Sequence, residues 1–215
     1  MQRINTLIFD VSGVLVNDLP AVFRANREAY LIHGYDPPQT IEEFREKFTF
    51  PIREFHKGNG VPEEMIDEVE RTYTEKFPLY KDLVQPFSEV KEALSEISQK
   101  GIKLGIYSHM PGEVLRELLE KYGIIMYFET IIGRDDCGKK KPSPEPLLTA
   151  LSRLDATPET AAYIGDMEED MMMGKNAGVS VIAMDRRGAY QSITRLKSHN
   201  PDYIINSLYD LLEIF

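Results

Sequence analysis

The sequence contains a single cysteine, Cys137, among its 215 residues. One cysteine excludes an internal disulfide and a cysteine-based zinc cluster, and we interpret Cys137 as an ordinary loop residue. No segment approaches the roughly 18 uncharged apolar residues that a membrane span requires. The N-terminal apolar run is short and meets an acid early, at Asp10, which argues against a signal peptide. We therefore expect a cytoplasmic protein with no membrane partner.

Positive charge is also scarce. The chain has 25 lysines and arginines against 35 acidic residues, a formal net charge of −10. A surface this acidic repels nucleic acid and anionic membranes, so we expect neither as a partner. An anionic substrate would need a local positive site, made by a metal ion or by a few well-placed lysines.

Six apolar runs of strand length alternate with helix-like segments along most of the chain. Strands that alternate with helices predict right-handed crossovers and an α/β fold with a doubly wound, mostly parallel, Rossmann-like sheet. The runs are apolar without strict alternation, which favours strands buried on both faces. The six runs are "TLIFDVS", "IKLGIYS", "ETIIG", "AAYIGD", "VSVIAMD" and "DYIINS".

Residues 17–83 break this rhythm, because they contain three helix-like segments with no strand between them. Breaks at "YDPPQ", "TFP" and "GNGVP" separate the segments. We predict a core domain made of residues 1–16 and 84–215 and an inserted α-helical cap domain of residues 17–83. The three segments are "AVFRANREAYLIHG", "TIEEFREKF" and "PEEMIDEVERTYTEKF".

Three of the apolar runs end in a polar residue suited to chemistry: Asp10, Ser108 and Asp166. Ligands of a doubly wound sheet bind beyond the carboxyl ends of its strands, so these side chains would converge at one edge. The loop "GKKKPSP" adds Lys141 just before a predicted helix. Each residue alone has an ordinary structural explanation, but their joint order along the chain indicates one site.

The segment "GDMEEDMMMGKNAG" places Asp166 and Asp170 four residues apart. If a helix starts between them, both carboxylates can face the same point. Paired oxygen ligands without a histidine or cysteine suit a hard cation, Mg2+ above all. The three consecutive methionines that follow point in different directions on a helix, so we expect them to pack the core.

Taken together, these segments resemble the haloacid dehalogenase (HAD) superfamily of hydrolases, in its phosphatase-like branch with a helical cap. "FDVSGVLVND" matches the first motif, the end of "LGIYSHMP" the second, "KKPSPEP" the third and "YIGDMEEDMMMGKNAG" the fourth. The order and spacing of all four motifs agree with the superfamily, and the resemblance covers nearly the whole chain.

The resemblance implies a Mg2+-dependent hydrolase acting on small phosphorylated metabolites. Asp10 would attack phosphorus and form an aspartyl-phosphate, and phosphoryl transfer of this kind depends on positioning and on cations. The implied metal ligands are Asp10, the backbone carbonyl of Ser12, Asp166 and, directly or indirectly, Asp170. The implied phosphate-binding residues are Ser108, Lys141 and His109, although an asparagine is common at the position of His109.

Ser12 departs from the first motif. Most phosphatases of the superfamily have an aspartate there, which protonates the leaving alcohol and later deprotonates the attacking water. A serine hydroxyl cannot shuttle protons like a carboxylate, and losing a positioned acid–base group typically costs ~10²–10⁴-fold in rate. Asn17 also stands where an aspartate is frequent, with Asp18 one place later. We assign Ser12 to the catalytic residues, because the activity depends on how this position handles proton transfer without a carboxylate.

Three hypotheses follow. The favoured one is a slow or specialised phosphatase, in which the cap could supply an acid. His56, in the predicted cap loop "FTFPIREFHKGNG", is a candidate for this acid. A solvated surface histidine is the simpler interpretation of His56. A phosphonatase-like enzyme would cleave carbon–phosphorus bonds through a cap lysine, Lys47 or Lys57. A binding protein would hold a phosphorylated ligand with little turnover. Dehalogenation is disfavoured, because dehalogenases of the superfamily need no metal and lack the acid that Asp166 supplies.

Arg53 in the cap could meet a second anionic group of a substrate. An exposed arginine that pairs with cap glutamates is the expected structural role.

Overall fold

Eight strands form two sheets in the computed structural model, which describes residues 4–215. Six strands make one parallel sheet in the order β5-β4-β1-β6-β7-β8, and β2 pairs with β3 in a separate antiparallel ribbon. The strands are β1 (Thr6–Phe9), β2 (Val16–Asn17), β3 (Gln85–Pro86), β4 (Lys103–Tyr107), β5 (Thr130–Ile132), β6 (Ala161–Gly165), β7 (Ser180–Met184) and β8 (Tyr203–Ile205). The predicted α/β fold is confirmed, since the six apolar runs are the six strands of the main sheet.

Ten α-helices connect and cover these strands, and none of the helices in the described chain is long and apolar enough to cross a membrane. Short 3₁₀ turns, including Phe77–Leu83, complete the connections. The helices are α1 (Leu19–Ile32), α2 (Ile41–Lys47), α3 (Ile52–Gly58), α4 (Ile66–Lys76), α5 (Val90–Gln99), α6 (Gly112–Lys121), α7 (Glu145–Arg153), α8 (Glu168–Ala177), α9 (Ile193–Lys197) and α10 (Asp210–Ile214).

The central strand β1 shows why the apolar runs lack alternation. Leu7 and Phe9 pack into the apolar cluster under α5 and α6, while Ile8 packs into the cluster under α7 and α8. All three side chains are fully buried, because helices cover both faces of the sheet. Burial on both faces leaves no solvent side on which polar residues would alternate.

Four helices, not three, lie between β2 and β3. Segment 48–60 does not form the predicted loop, because α3 (Ile52–Gly58) begins directly after Pro51. Phe55 of this helix is buried in an apolar cluster with side chains of α1, α2 and α4. Burial of one face against other helices therefore stabilises α3, although proline precedes this short helix and glycine ends it.

The ribbon of β2 and β3 joins the two connections between the sheet and these four helices. Val16 pairs with Pro86, and Asn17 pairs with Gln85. Two-residue strands leave no periodicity to read, so the sequence did not predict the ribbon. The ribbon lies next to the predicted boundaries, and the division into a core and a cap stays a prediction. Residues 1–3 of the predicted core lie outside the described chain.

Helix α8 approaches the sheet so closely that Gly174 has no room for a side chain. A Cβ at this position would lie 2.7 Å from Cγ2 of Val181 on β7. The neighbouring methionines pack as their spacing predicts, except that Met172 is exposed while Met171 and Met173 are buried. The close contact fixes the distance between α8, which carries part of the fourth motif, and β7.

Replacing Gly174 by alanine should lower the free energy of unfolding by about 1–3 kcal/mol, because the added methyl group overpacks the contact with Val181. The measurement is urea unfolding followed by circular dichroism. Gly58→Ala is the matched control, since this helical glycine has open space around its Cβ position, and it should be neutral or stabilising by up to about 1 kcal/mol. Equal effects of the two substitutions would contradict the close-packing argument.

Candidate active site

The three strand-end residues lie side by side. Asp10 follows β1, Ser108 follows β4 and Asp166 follows β6, and these strands are neighbours in the sheet. All three residues are buried. The parallel strands thus bring together side chains that are distant in sequence, at the edge where the sequence predicted a site.

Lys141 reaches this edge from the loop before α7. Its Nζ lies 3.1 Å from Oδ2 of Asp10 and 2.7 Å from Oδ1 of Asp170. Burial by itself would lower the pKa of Lys141, but the carboxylates of Asp10 and Asp170 hold it well above its usual range. The rings of Tyr107 and Tyr163 flank the ammonium, with centroids 5.3 and 5.5 Å away. The sequence did not predict these tyrosines, which are hidden in apolar strands.

Asp170, in the first turn of α8, binds backbone and side-chain donors with both carboxylate oxygens. Its Oδ2 accepts hydrogen bonds from the backbone N–H groups of Asp166 and Met167, at 3.1 and 3.0 Å. The hydroxyl of Tyr163 lies 3.3 Å from Oδ1, which also contacts Lys141. Gly165 allows Asp170 to lie this close to the strand end, because a Cβ at residue 165 would lie 2.4 Å from Cβ of Asp170. Both oxygens of Asp170 are therefore occupied by protein donors.

Asp166, in contrast, has a free oxygen. Its Oδ2 accepts a hydrogen bond from the backbone N–H of Tyr190 at 2.5 Å, whereas Oδ1 is buried without any hydrogen-bond partner. Gly13 closes over this carboxylate with φ +73°, and a Cβ at Gly13 would lie 2.0 Å from Oδ2 of Asp166. A buried acceptor without a donor is costly, which indicates that a ligand completes the site.

The residues present fit a divalent cation. Carboxylate oxygens of Asp10, Asp166 and Asp170 lie within 4.8 Å of one another. Burial raises the pKa of Asp10 to about 7 and that of Asp166 well above its usual range. Three ionised carboxylates with one ammonium would carry a formal charge of −2 in a buried space, and a hard cation with oxygen ligands would balance it.

The sequence did not predict a second pair at the site, which joins a hydroxyl to a carboxylate. Ser12 donates a hydrogen bond from Oγ to Oδ2 of Asp18 at 2.7 Å. Asp18 is only 3% exposed, its Oδ1 has no partner, and burial raises its pKa to about 6. The signal was visible as an acid missing at residue 12 and an acid present at residue 18, but nothing in the sequence placed the two side chains in contact.

His109 contacts an acid on α8. Its Nδ1 lies 3.3 Å from Oε1 of Glu169. Burial lowers the pKa of His109 to about 3 and raises that of Glu169 to about 8, so at neutral pH this contact joins two uncharged groups rather than an ion pair. The ring also meets the edge of Phe50 from the cap, with centroids 4.8 Å apart. His109 therefore links the cap to the strand edge.

The interpretation of His56 as a solvated surface residue was wrong. The side chain is 1% exposed, and its Nδ1 lies 2.9 Å from the hydroxyl of Tyr30. Burial lowers the pKa of His56 to about 4, so the ring is uncharged at neutral pH. The residue turns inward because α3 packs its apolar face, with Phe55, against α1.

The other candidate residues of the cap point away from the strand edge. Arg53 pairs with Glu63 at 2.8 Å and with Asp67 at 2.5 Å, as its structural interpretation predicts. Both candidate lysines are also held in exposed ion pairs, Lys47 with Glu43 at 2.8 Å and Lys57 with Glu63 at 2.6 Å. None of the three lines the cavity described next.

A cavity of about 420 Å³ lies between the cap helices and the strand edge. Its volume is in the range of pockets that hold small ligands. Asp10, Ser12, Ser108, Lys141 and Asp166 form its floor, and α1, α3 and α4 contribute to its roof. The predicted catalytic and phosphate-binding residues thus face one cavity, together with the predicted metal ligands except Asp170, which does not line it.

Comparisons with known proteins agree with this geometry. A family model described as "Haloacid dehalogenase-like hydrolase" matches residues 7–184. The pyrophosphatase PpaX of Halalkalibacterium halodurans is 30% identical over 99% of this chain and 97% of its own. Among solved structures, a haloacid dehalogenase-like hydrolase from Streptococcus pneumoniae has a TM-score of 0.85 at 21% identity, with full coverage of both chains. A predicted phosphoglycolate phosphatase from Haemophilus somnus has a TM-score of 0.80 at 18% identity, covering 100% of this chain and 99% of its own.

The raised pKa values of the buried acids predict how stability depends on pH. Without metal, Asp10 and Glu169 lose protons in the folded state near pH 7 and pH 8, whereas their unfolded pKa values are about 3.8 and 4.5. The folded state therefore binds more protons, and stability should fall as pH rises from 6.5 to 8. Buried His56 and His109 slightly oppose this fall near pH 6.5, where an unfolded histidine is about half protonated, and add little as the pH approaches 8. Thermal unfolding in EDTA measures this fall.

Added Mg2+ should make the fall with pH smaller, because the cation balances the carboxylates as they ionise. Asp10→Asn should also reduce the fall in EDTA, since it removes one of the groups that bind a proton more tightly in the folded state. Stability in EDTA that rises between these pH values would contradict the assignment.

Proposed function

Because the chain belongs to the haloacid dehalogenase-like hydrolase family, whose phosphatase-like enzymes it resembles, we propose that it is a Mg2+-dependent phosphohydrolase of small phosphorylated metabolites. The observation that carries the proposal is the contact of Lys141 with Asp10 and Asp170 next to the free oxygen of Asp166. A nucleophile, a phosphate-binding cation and a cation site then meet on one cavity floor.

In this proposal Asp10, the backbone carbonyl of Ser12 and Asp166 would hold the cation. Asp170, whose oxygens are occupied, positions Asp166 and Lys141 instead of binding directly. When bound, Mg2+ supplies positive charge to the phosphoryl oxygens. Side chains of the protein carry out the nucleophilic attack, the phosphate binding and the proton transfer.

Asp10 attacks phosphorus with one carboxylate oxygen, and the bond from phosphorus to the leaving oxygen breaks. Lys141 and Ser108 hold the equatorial phosphoryl oxygens, and the ammonium of Lys141 favours the ionised form of Asp10 that attacks. The product of this step is an aspartyl-phosphate, which water then cleaves to release phosphate and restore Asp10.

Proton transfer is assigned to the pair of Ser12 and Asp18. In the first step the leaving oxygen takes the proton of the Ser12 hydroxyl, and Ser12 takes the proton of neutral Asp18. In the second step the attacking water gives a proton to Ser12, whose own proton passes to Asp18 along the 2.7 Å hydrogen bond. A pKa of about 6 gives Asp18 access to both protonation states near neutrality.

This pair favours the phosphatase hypothesis over its two alternatives. A phosphonatase-like mechanism needs a cap lysine at the cavity, but Lys47 and Lys57 are held in exposed ion pairs. A binding protein with little turnover would not need a buried carboxylate hydrogen-bonded to Ser12. Relatives named pyrophosphatase make pyrophosphate one candidate substrate, and a fold neighbour makes phosphoglycolate another.

Asp10→Asn should abolish hydrolysis, because an amide oxygen is too weak a nucleophile to form the phosphoenzyme. Phosphate release from p-nitrophenyl phosphate with Mg2+ measures the activity, and Asp67→Asn, at an exposed position of α4, is the control. If the wild-type protein releases no phosphate from any ester or acyl phosphate at high enzyme concentration, the proposed function is wrong.

Asp18→Asn should lower kcat for an alkyl phosphate ~10²–10⁴-fold, the usual effect of losing a positioned acid–base group. The loss should be smaller for p-nitrophenyl phosphate, whose leaving group needs little protonation. The exchange variant, Ser12→Asp with Asp18→Ser, should recover much of the lost rate, because it moves the carboxylate to residue 12. An equal loss for both leaving groups would indicate structural damage instead of proton transfer.

A further inference from the structure

The cap half of the cavity carries no positive charge. In the described chain, no lysine or arginine of the cap lines this space. Its wall is built from apolar side chains of the cap, among them Val22, Phe48, Ile52 and Phe77, and from the polar side chains Asn26, His56 and Glu70. The part of a substrate that extends from the phosphoryl group toward the cap therefore meets aromatic and polar side chains of the cap, none of them a lysine or arginine.

The cations of the cap face outward because acidic neighbours hold them there. Arg53 is paired with Glu63 and Asp67, and Lys57 with Glu63 and Glu54. Turning Arg53 toward the cavity would break two contacts at once. The cap therefore has no cation ready to meet a second anionic group of a substrate.

The same wall offers acceptors that have no donor. Oδ1 of Asp18 and Oε1 of Glu70 are buried atoms without a hydrogen-bond partner, and both residues line the cavity. An unsatisfied buried oxygen costs free energy until a ligand supplies an N–H or O–H group. An anion would place more acceptors against them, whereas a hydroxyl group would donate to them.

We propose, on the basis of the phosphohydrolase function above, that the cap pocket takes monoesters whose alcohol portion is uncharged and bears hydroxyl groups. Pyrophosphate, phosphoglycolate and other substrates with a second anion should be poor. The aromatic wall packs the carbon skeleton of the alcohol, and the unpartnered oxygens accept hydrogen bonds from its hydroxyl groups.

Arg134 is the residue that most directly challenges this proposal, because it lines the cavity and is a cation of the core. It is exposed at the cavity mouth. An ion pair formed there stays in contact with water and contributes little. Arg134→Ala should therefore leave the order of preference among substrates unchanged.

The test is a comparison of kcat/KM with Mg2+ for three kinds of substrate. p-Nitrophenyl phosphate reports basal hydrolysis, glycerol 3-phosphate and hexose monophosphates represent hydroxylated alcohols, and pyrophosphate and phosphoglycolate carry the second anion. Hydroxylated monoesters should exceed the doubly anionic substrates by ~10–100-fold, the value of one or two satisfied hydrogen bonds. A preference for pyrophosphate or phosphoglycolate overturns the inference but leaves the proposed function standing. Failure with p-nitrophenyl phosphate and every other substrate overturns both.

Glu70→Lys tests the wall directly, because it puts a cation where the structure has an acceptor. The ratio of kcat/KM for phosphoglycolate to that for glycerol 3-phosphate should rise by ~10-fold or more, as expected when a charged hydrogen bond is gained on one side and an acceptor is lost on the other. Glu68→Lys on the same helix is the matched control, since Glu68 faces solvent and pairs with Arg71, and it should leave the ratio unchanged. Equal ratios in the two variants would contradict the proposed pocket, with thermal unfolding used to show that both variants fold.

Discussion

The buried excess of negative charge at the sheet edge is the constraint on which the rest of the site depends. Asp10, Asp166 and Asp170 place carboxylate oxygens within 4.8 Å of one another, and one ammonium, on Lys141, contacts two of the three. Water cannot screen these charges, so protons or a cation must compensate them. The same imbalance that destabilises the site would attract the cation that the proposed chemistry uses.

The backbone around the site is arranged to hold this charge in place. Gly13 and Gly165 leave room for carboxylates that any side chain would displace, and the first turn of α8 supplies two N–H donors to Asp170. The N-terminal turn of a helix favours negative charge at this position. Rigid strands and a helix terminus thus orient the groups, and the loops add Lys141.

The predicted cap contributes to the site through the connection between β2 and α1 as well as through the helices that cover the cavity. Asp18 lies between β2 and α1, where the chain enters the predicted cap, so the proposed proton donor sits in this connection rather than at residue 12. The hydrogen bond from Ser12 joins this connection to the turn that follows β1.

Periodicity and strand-end residues determined the fold and the floor of the site, because parallel strands place their carboxyl ends at one edge whatever the loops do. The roof was decided only by tertiary packing. His56 was assigned to a loop and is buried in a helix, since a single apolar face, with Phe55, was enough to turn α3 inward. The contact of Ser12 with Asp18 likewise depends on how the intervening turn folds, and one-dimensional spacing carries no information about that distance.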